Sequence, residues 1–312
     1  MKRNFKKTRI LLAVAISVSS LSAKSLEIVE RPESVVEDLN NLYNDNQGSC
    51  REVVSGEPRG TYYCSGVIVR GVSDGDFLPW TFSPLSIRNG GASFSWIRHD
   101  VPFIKLWKPA GLILRNQVIA AGNGLPAIDT GFICIYPTDG RTAGNPNRGG
   151  CGLSSNPEET HPQPAASHLN VANAWGQCEA LGIQTVSDWV TFHESTSTNP
   201  RLRRQCSWNI DSQPGWSNAI ALYEMYHQDP HHYLHNEMIL RVPNADFNIR
   251  NETVAFFYSE YGDGNNEGLD DAKIFQRKAF LNGLVIPIVR ISASQASPTF
   301  SYLPQDQNVP MN

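Results

Sequence analysis

Short apolar runs with β-branched residues recur along the chain and predict strands over Gly66–Arg70, Ala92–Ile97, Gly131–Tyr136, Met238–Val242, Thr253–Tyr258 and Leu284–Ile291. Helical spacing is sparser. Val35, Val36, Leu39, Leu42 and Tyr43 define an apolar stripe over Ser34–Tyr43, with Glu33 and Glu37 near its start. Asn170–Leu181 reads as a helix ended by Gly182, and Thr185 as the cap of another running through Trp189 to His193. Ser217–Tyr226 carries Ile220, Tyr223 and Met225 in an amphipathic run, and Leu269–Asn282 is closed by Gly283. Helices and strands interleave without a regular βαβ repeat, which predicts an α+β fold rather than a doubly wound sheet. No Gly-x-Gly-x-x-Gly follows a strand, so a Rossmann dinucleotide site is not expected. Pro137–Pro164, rich in Gly, Pro, Asn and Thr, reads as a surface loop, and the tail beyond Ser292 as irregular.

The N-terminus follows a different rule. Lys2, Arg3, Lys6, Lys7 and Arg9 precede an apolar run from Ile10 to Val18 and then small residues ending at Ala23. The run is far short of the roughly 20 residues a bilayer span needs, so residues 1–23 read as a cleaved export signal and 24–312 as one domain. Cleavage removes five basic residues and no acidic one. It leaves 21 basic against 30 acidic side chains, a net charge of −9 in place of −4. That balance argues against nucleic acid or an anionic membrane as a partner, and no membrane anchor is expected. All six cysteines (Cys50, Cys64, Cys134, Cys151, Cys178 and Cys206) follow the signal. An even count in an exported chain reads as disulfides, in a secreted or periplasmic setting. The pairing is open from sequence; sequential pairing is the first expectation, because it would staple three loops.

Candidate chemistry lies in Cys64-Ser-Gly-Val-Ile-Val-Arg70-Gly71, then Asn89-Gly90-Gly91, then Ser93-Phe94-Ser95, and far downstream in Asn236-Glu237. An Arg, a Ser-x-Ser and a Glu form a minimal set for breaking a bond between a base and a ribose. The sugar carbon becomes cationic in the transition state, and a nearby carboxylate stabilises it. A guanidinium fork suits a pyrophosphate, and short hydroxyls orient the carboxylate.

In that order these residues resemble the Arg/Ser-x-Ser/Glu pattern of halovibrin-like secreted ADP-ribosyltransferases and NAD glycohydrolases. Cys64–Ile97 and the Asn236-Glu237 region are the distinctive segments, and the likeness extends loosely over most of the chain after the signal. The resemblance implies a disulfide-stapled, ADP-ribosyltransferase-like split β-sheet with flanking helices. It implies Glu237, Arg70, Ser93 and Ser95 as catalytic residues, and Arg70, Gly71, Gly90, Gly91 and Ser93 as the NAD-binding set. NAD is then a co-substrate, with no metal expected. The ADP-ribose acceptor is water or a protein, a host protein among them, and a monomer is expected. The chain departs from the family in three places. Ser93 follows Gly91 almost immediately. A second triplet, Ser195-Thr196-Ser197, lies nearer Glu237 in sequence. His235 stands two residues before Glu237, where arginine-modifying members carry an acid, which favours NAD hydrolysis or another acceptor.

Two other readings stand beside this one. His227, His231, His232 and His235 suggest a metal-dependent hydrolase, since His231 and His235 have a zinc-compatible spacing, although Pro230 interrupts the segment. An exported adhesin or carbohydrate-binding module predicts that Arg70 and Glu237 share no cleft, whereas the enzyme predicts that they converge with Ser93 or Ser95 between them. Asp263–Glu267 begins like a calcium loop but places Ile274 where a bidentate Glu is needed. Trp80, Phe82, Trp96 and Trp107 read as core, and Asn251-Glu252-Thr253 is a glycosylation sequon by pattern alone.

Overall fold

The apolar runs assemble into one mixed sheet. The computed structural model describes residues 27–28, 30–46, 50–51, 58–72, 82–101, 106, 108–115, 131–140, 151, 174–200, 203–210, 213–226, 235–242, 244–246, 249–250, 252–259, 267–292 and 299–311. Residues 1–23, expected to be an export signal, lie outside these residues, as do His227, His231, His232, Trp80, Trp107 and most of Asp263–Glu267. The strands are β1 (Glu27–Ile28), β2 (Cys50–Arg51), β3 (Pro58–Arg59), β4 (Val67–Gly71), β5 (Gly91–Ile97), β6 (Ala110–Leu114) and β7 (Phe132–Tyr136). They continue with β8 (Ala174–Gln177), β9 (Gln205–Asn209), β10 (Glu237–Arg241), β11 (Thr253–Ser259), β12 (Leu284–Val285), β13 (Ile288–Ile291) and β14 (Phe300–Tyr302). Ten of them form a sheet in the order β14-β13-β11-β6-β4-β5-β10-β7-β9-β8, and β1-β12 and β2-β3 form two-stranded pairs. In the large sheet β11/β13 and β8/β9 are parallel, and the other neighbours are antiparallel.

The helices are α1 (Pro32–Asn44), α2 (Pro84–Asn89), α3 (Val186–Ser195), α4 (Gln213–Tyr226) and α5 (Glu267–Leu281). Strand alternation sends successive side chains to opposite faces, so the sheet has two cores. On one face Ile68, Phe94, Trp96, Met238 and Phe256 pack with Trp189 of α3, Trp216 and Leu222 of α4, and Phe275 of α5. On the other face Val67, Val69, Ile97, Ile113 and Phe257 meet Val35, Leu39 and Tyr43 of α1. Farther along that second face lies a small cluster of Cys134, Tyr136, Cys151 and Ile239.

Cys134–Cys151 and Cys178–Cys206 are disulfides, as sequential pairing predicts. Cys64 is also disulfide-bonded; the side chain of Cys50, its expected partner, lies outside the described residues. Disulfides of this kind persist in an oxidising compartment. Among the described residues no helix is long and apolar enough to cross a membrane.

Three local expectations are corrected. Ala174–Gln177 is strand β8 and Glu179–Leu181 a 3-10 turn, where a helix over Asn170–Leu181 is predicted; residues 170–173 lie outside the described set. Gly176 has φ +100°, which no helix contains, and the Cys178 N–H donates to the Ser207 carbonyl, so β9 captures the segment. The run Leu284–Ile291 divides into β12 and β13 at Pro287, which has no N–H to give a ladder. The tail forms the edge strand β14, and Gln307 clasps Ile288, its amide donating to the Ile288 carbonyl and its oxygen accepting from the Ile288 N–H. Unforeseen elements include α2, β6 and β9, along with the short strands β1, β2 and β3. The first of these is bounded by Ser83 as N-cap, Pro84 in its first turn and Gly90 in the left-handed region at its end.

Thr185 caps α3 as expected, in a reciprocal box with Asp188. The Thr185 hydroxyl, followed by the Gln184 and Thr185 N–H groups, holds the Asp188 carboxyl below its ordinary pKa. A group with a depressed folded pKa contributes stability above the ordinary carboxylate range that is lost as pH falls through the folded value. Thr185→Ala should cost about 1 kcal/mol, read by urea denaturation at neutral pH, and less in acid.

Candidate active site

Strand register decides which of the candidate residues meet. Val69 pairs with Ser95, Phe94 with Met238, Glu237 with Tyr136, Ile135 with Trp208, and Gln177 with Ser207. One step along these ladders, Ser95, Glu237, Tyr136 and Ser207 form a polar row on one face, across β5, β10, β7 and β9. All four are buried, Glu237 to 2% exposure.

The chain begins β10 with a side chain acting as backbone. Asn236 Oδ1 accepts from the Trp96 N–H at 2.8 Å, and Asn236 Nδ2 donates to the Trp96 carbonyl. The carboxamide thus duplicates a strand residue and holds Glu237 beside Ser95. Asn236→Ala removes both bonds from a buried site and should destabilise the fold by about 2–3 kcal/mol, measured by urea denaturation.

The turn after β7 closes over the row. A methyl at Gly140 would stand 3.1 Å from Glu237 Oε2 and 3.1 Å from Tyr136 Cγ, closer than side-chain carbons ordinarily approach. Gln205 holds this turn: the Thr138 hydroxyl donates to Gln205 Oε1 at 3.1 Å, and Gln205 Nε2 donates to the Asp139 carbonyl at 3.0 Å. His235 Nε2 lies 4.0 Å from Asp139 Oδ2, on the same turn. Burial pushes the Tyr136 phenol far above its ordinary pKa; the Ser207 hydroxyl opposes that shift and the Glu237 charge adds to it.

Arg70 does not join the row. Its neighbour Val69 pairs with Ser95, so its own side chain leaves the opposite face, where the guanidinium carbon lies 5.1 Å from the Phe82 ring centroid and 5.4 Å from that of Phe94. The expected convergence of Arg70 and Glu237 across one cleft is therefore corrected by strand parity. They are two strands apart, roughly 10 Å in the hydrogen-bonding direction, and face opposite ways. Ser93 shares the face of Ser95 but pairs with Ile239, one pleat along, and is exposed. Gly71 pairs with Gly111, where any side chain would strike the Arg70 carbonyl at 1.8 Å. Gly90 closes α2 with φ +73°, and Gly91 pairs with Arg241, so both shape the α2–β5 turn at the far end of β10.

Ser195-Thr196-Ser197 finishes α3. The Ser195 hydroxyl donates to the Phe192 carbonyl, Thr196 Oγ1 donates to the His193 carbonyl and accepts from the Arg204 N–H, and Ser197 Oγ accepts from the Asn199 N–H. Phe82 and Trp96 are core residues, as expected. Asn236 was singled out beside Glu237 but not as a strand anchor, and Tyr136 and Gly140 were not foreseen. Their roles depend on register between distant strands, and one residue after Tyr136 the chain reads only as a polar loop.

No protein-family model matches the chain, and no curated protein matches it in sequence.

Proposed function

We propose that the chain is an exported enzyme that cleaves the nicotinamide–ribose bond of NAD and passes the ADP-ribose to water or to a protein acceptor. The observation that carries this reading is the Ser95–Glu237–Tyr136 row, one carboxylate set among hydroxyls at the middle of the sheet. Cleavage at the ribose makes the sugar carbon cationic, and a carboxylate held in a low-dielectric setting stabilises it far more than one in water. With water as acceptor the C1′–N bond breaks and a C1′–O bond forms. Nicotinamide leaves neutral, and the proton of the attacking water goes to solvent.

The order of β4, β5 and β10 as sheet neighbours supports an ADP-ribosyltransferase-like core within the larger sheet, because the Arg, Ser and Glu strands are contiguous. In this reading Glu237 is catalytic, Ser95 orients it, and NAD is consumed rather than retained. Arg70 is given no phosphate contact, since its guanidinium lies against Phe82 and Phe94 on the other face. That same placement favours a second reading, an exported binding module in which Glu237 is a buried structural carboxylate.

Nicotinamide release from NAD by the mature protein separates the two. The enzyme should release nicotinamide in proportion to protein added. Well-folded protein that releases none, with water or with added acceptor proteins, would sink the NAD reading and leave the binding module.

A further inference from the structure

We infer that Tyr136 is the positioning residue for the Glu237 carboxylate, a role that rests on the proposed NAD chemistry. Tyr136 is fully buried and pairs with Glu237 across β7 and β10. Its ring is fixed at both ends, at the backbone by β7 and at the phenol by the Ser207 hydroxyl of β9.

Ser207 Oγ also lies 3.1 Å from the Gly176 carbonyl, so the far end of the ring is tied through β9 to β8. The ring is the wall that Tyr136 sets beside Glu237.

Gly140 supplies the opposing wall. The position its methyl would take is 3.1 Å from Glu237 Oε2 and 3.1–3.2 Å from Tyr136 Cγ and Cδ2, so ring and carboxylate lie side by side beneath one stretch of backbone. Ring and glycine together leave the carboxylate little choice of orientation. A catalytic group displaced by about 1 Å can cost on the order of 10²-fold in rate, which makes such a restraint matter.

Tyr136→Phe and Ser207→Ala break the same hydrogen bond from its two ends. Each should lower kcat for nicotinamide release about tenfold with KM within about twofold of wild type, and the double variant should be no slower than either single one. Tyr136→Leu, which removes the wall itself, should lose on the order of 10²-fold in kcat. All are assayed well below each variant's own melting temperature. Wild-type kcat in Tyr136→Phe and Ser207→Ala, additive losses in the double variant, or losses that track the unfolded fraction would overturn the role. Glu237→Gln in the same assay keeps the two ideas apart. Activity that depends on Glu237 but ignores Tyr136→Phe overturns the positioning role alone. Wild type that releases no nicotinamide, or a Glu237→Gln variant as fast as wild type, overturns the NAD reading and this role with it.

Discussion

Glu237→Gln should slow nicotinamide release on the order of 10²–10³-fold while leaving the fold intact. Gln matches Glu in shape, so it keeps the packing against Tyr136 and the close approach of Gly140. In the proposed chemistry it removes only the negative charge that stabilises the cationic ribose. Because Glu237 is 2% exposed, its ionised form is held out of water, and a neutral amide there lifts that desolvation cost. The variant should therefore melt no lower than wild type, and a rise would mark a site kept at the expense of stability. Ser95→Ala should lose less, about tenfold, since the role proposed for Ser95 is to orient the carboxylate without carrying charge. Steady-state rates and thermal melts on the same preparations check this. If the Gln variant turns over NAD like wild type, Glu237 is structural and the binding-module reading gains.

Much of the fold was legible because each strand is a short local pattern. The apolar runs that became β4, β5, β7, β10 and β11 carry β-branched or aromatic residues between turn signals, and α1, α3, α4 and α5 carry a cap, a stripe or a closing glycine. Where the reading failed, a tertiary partner overrode the local preference. Ala174–Gln177 has helical spacing but pairs with β9 beside the Cys178–Cys206 disulfide. Candidate residues were legible as types in chain order, and β4, β5 and β10 are neighbours in that order. Which face each residue occupies was not legible, because it turns on register, between β4 and β5 for Arg70 and between strands about a hundred residues or more apart for Glu237. A shift of one residue in that register would exchange the faces, and Arg70 with it. The same blindness hid Tyr136, which meets Glu237 only through the β7/β10 ladder.

Trp96→Ala should cost about 3–5 kcal/mol, enough to unfold a marginal domain. Trp96 is fully buried in the larger core, with Trp216 at 5.5 Å between ring centroids. Its Nε1 donates to the Ser65 carbonyl at 2.9 Å, and the Arg98 guanidinium lies 4.9 Å from its ring. Arg98 is itself buried, donating to both carboxylate oxygens of Asp100 and to the Ser65 hydroxyl. Removing the indole thus opens a cavity, leaves the Ser65 carbonyl without that donor, and takes an aromatic face from a buried cation. Trp96→Phe keeps most of the volume and should cost about 1–3 kcal/mol, chiefly the lost hydrogen bond and packing. Gly66 confirms how closely the site is filled: its φ is +73°, and a methyl there would fall 2.2 Å from the indole nitrogen. The contrast with Asn236 gives the test its force. Asn236 holds the main chain of Trp96, not its ring, so Trp96→Phe should weaken the fold while Glu237 stays beside Ser95. Urea denaturation with an unchanged m-value, beside wild-type kcat in the folded Phe variant, is the expected result. A Phe variant that stays stable but loses turnover would instead tie the indole ring itself to the chemistry.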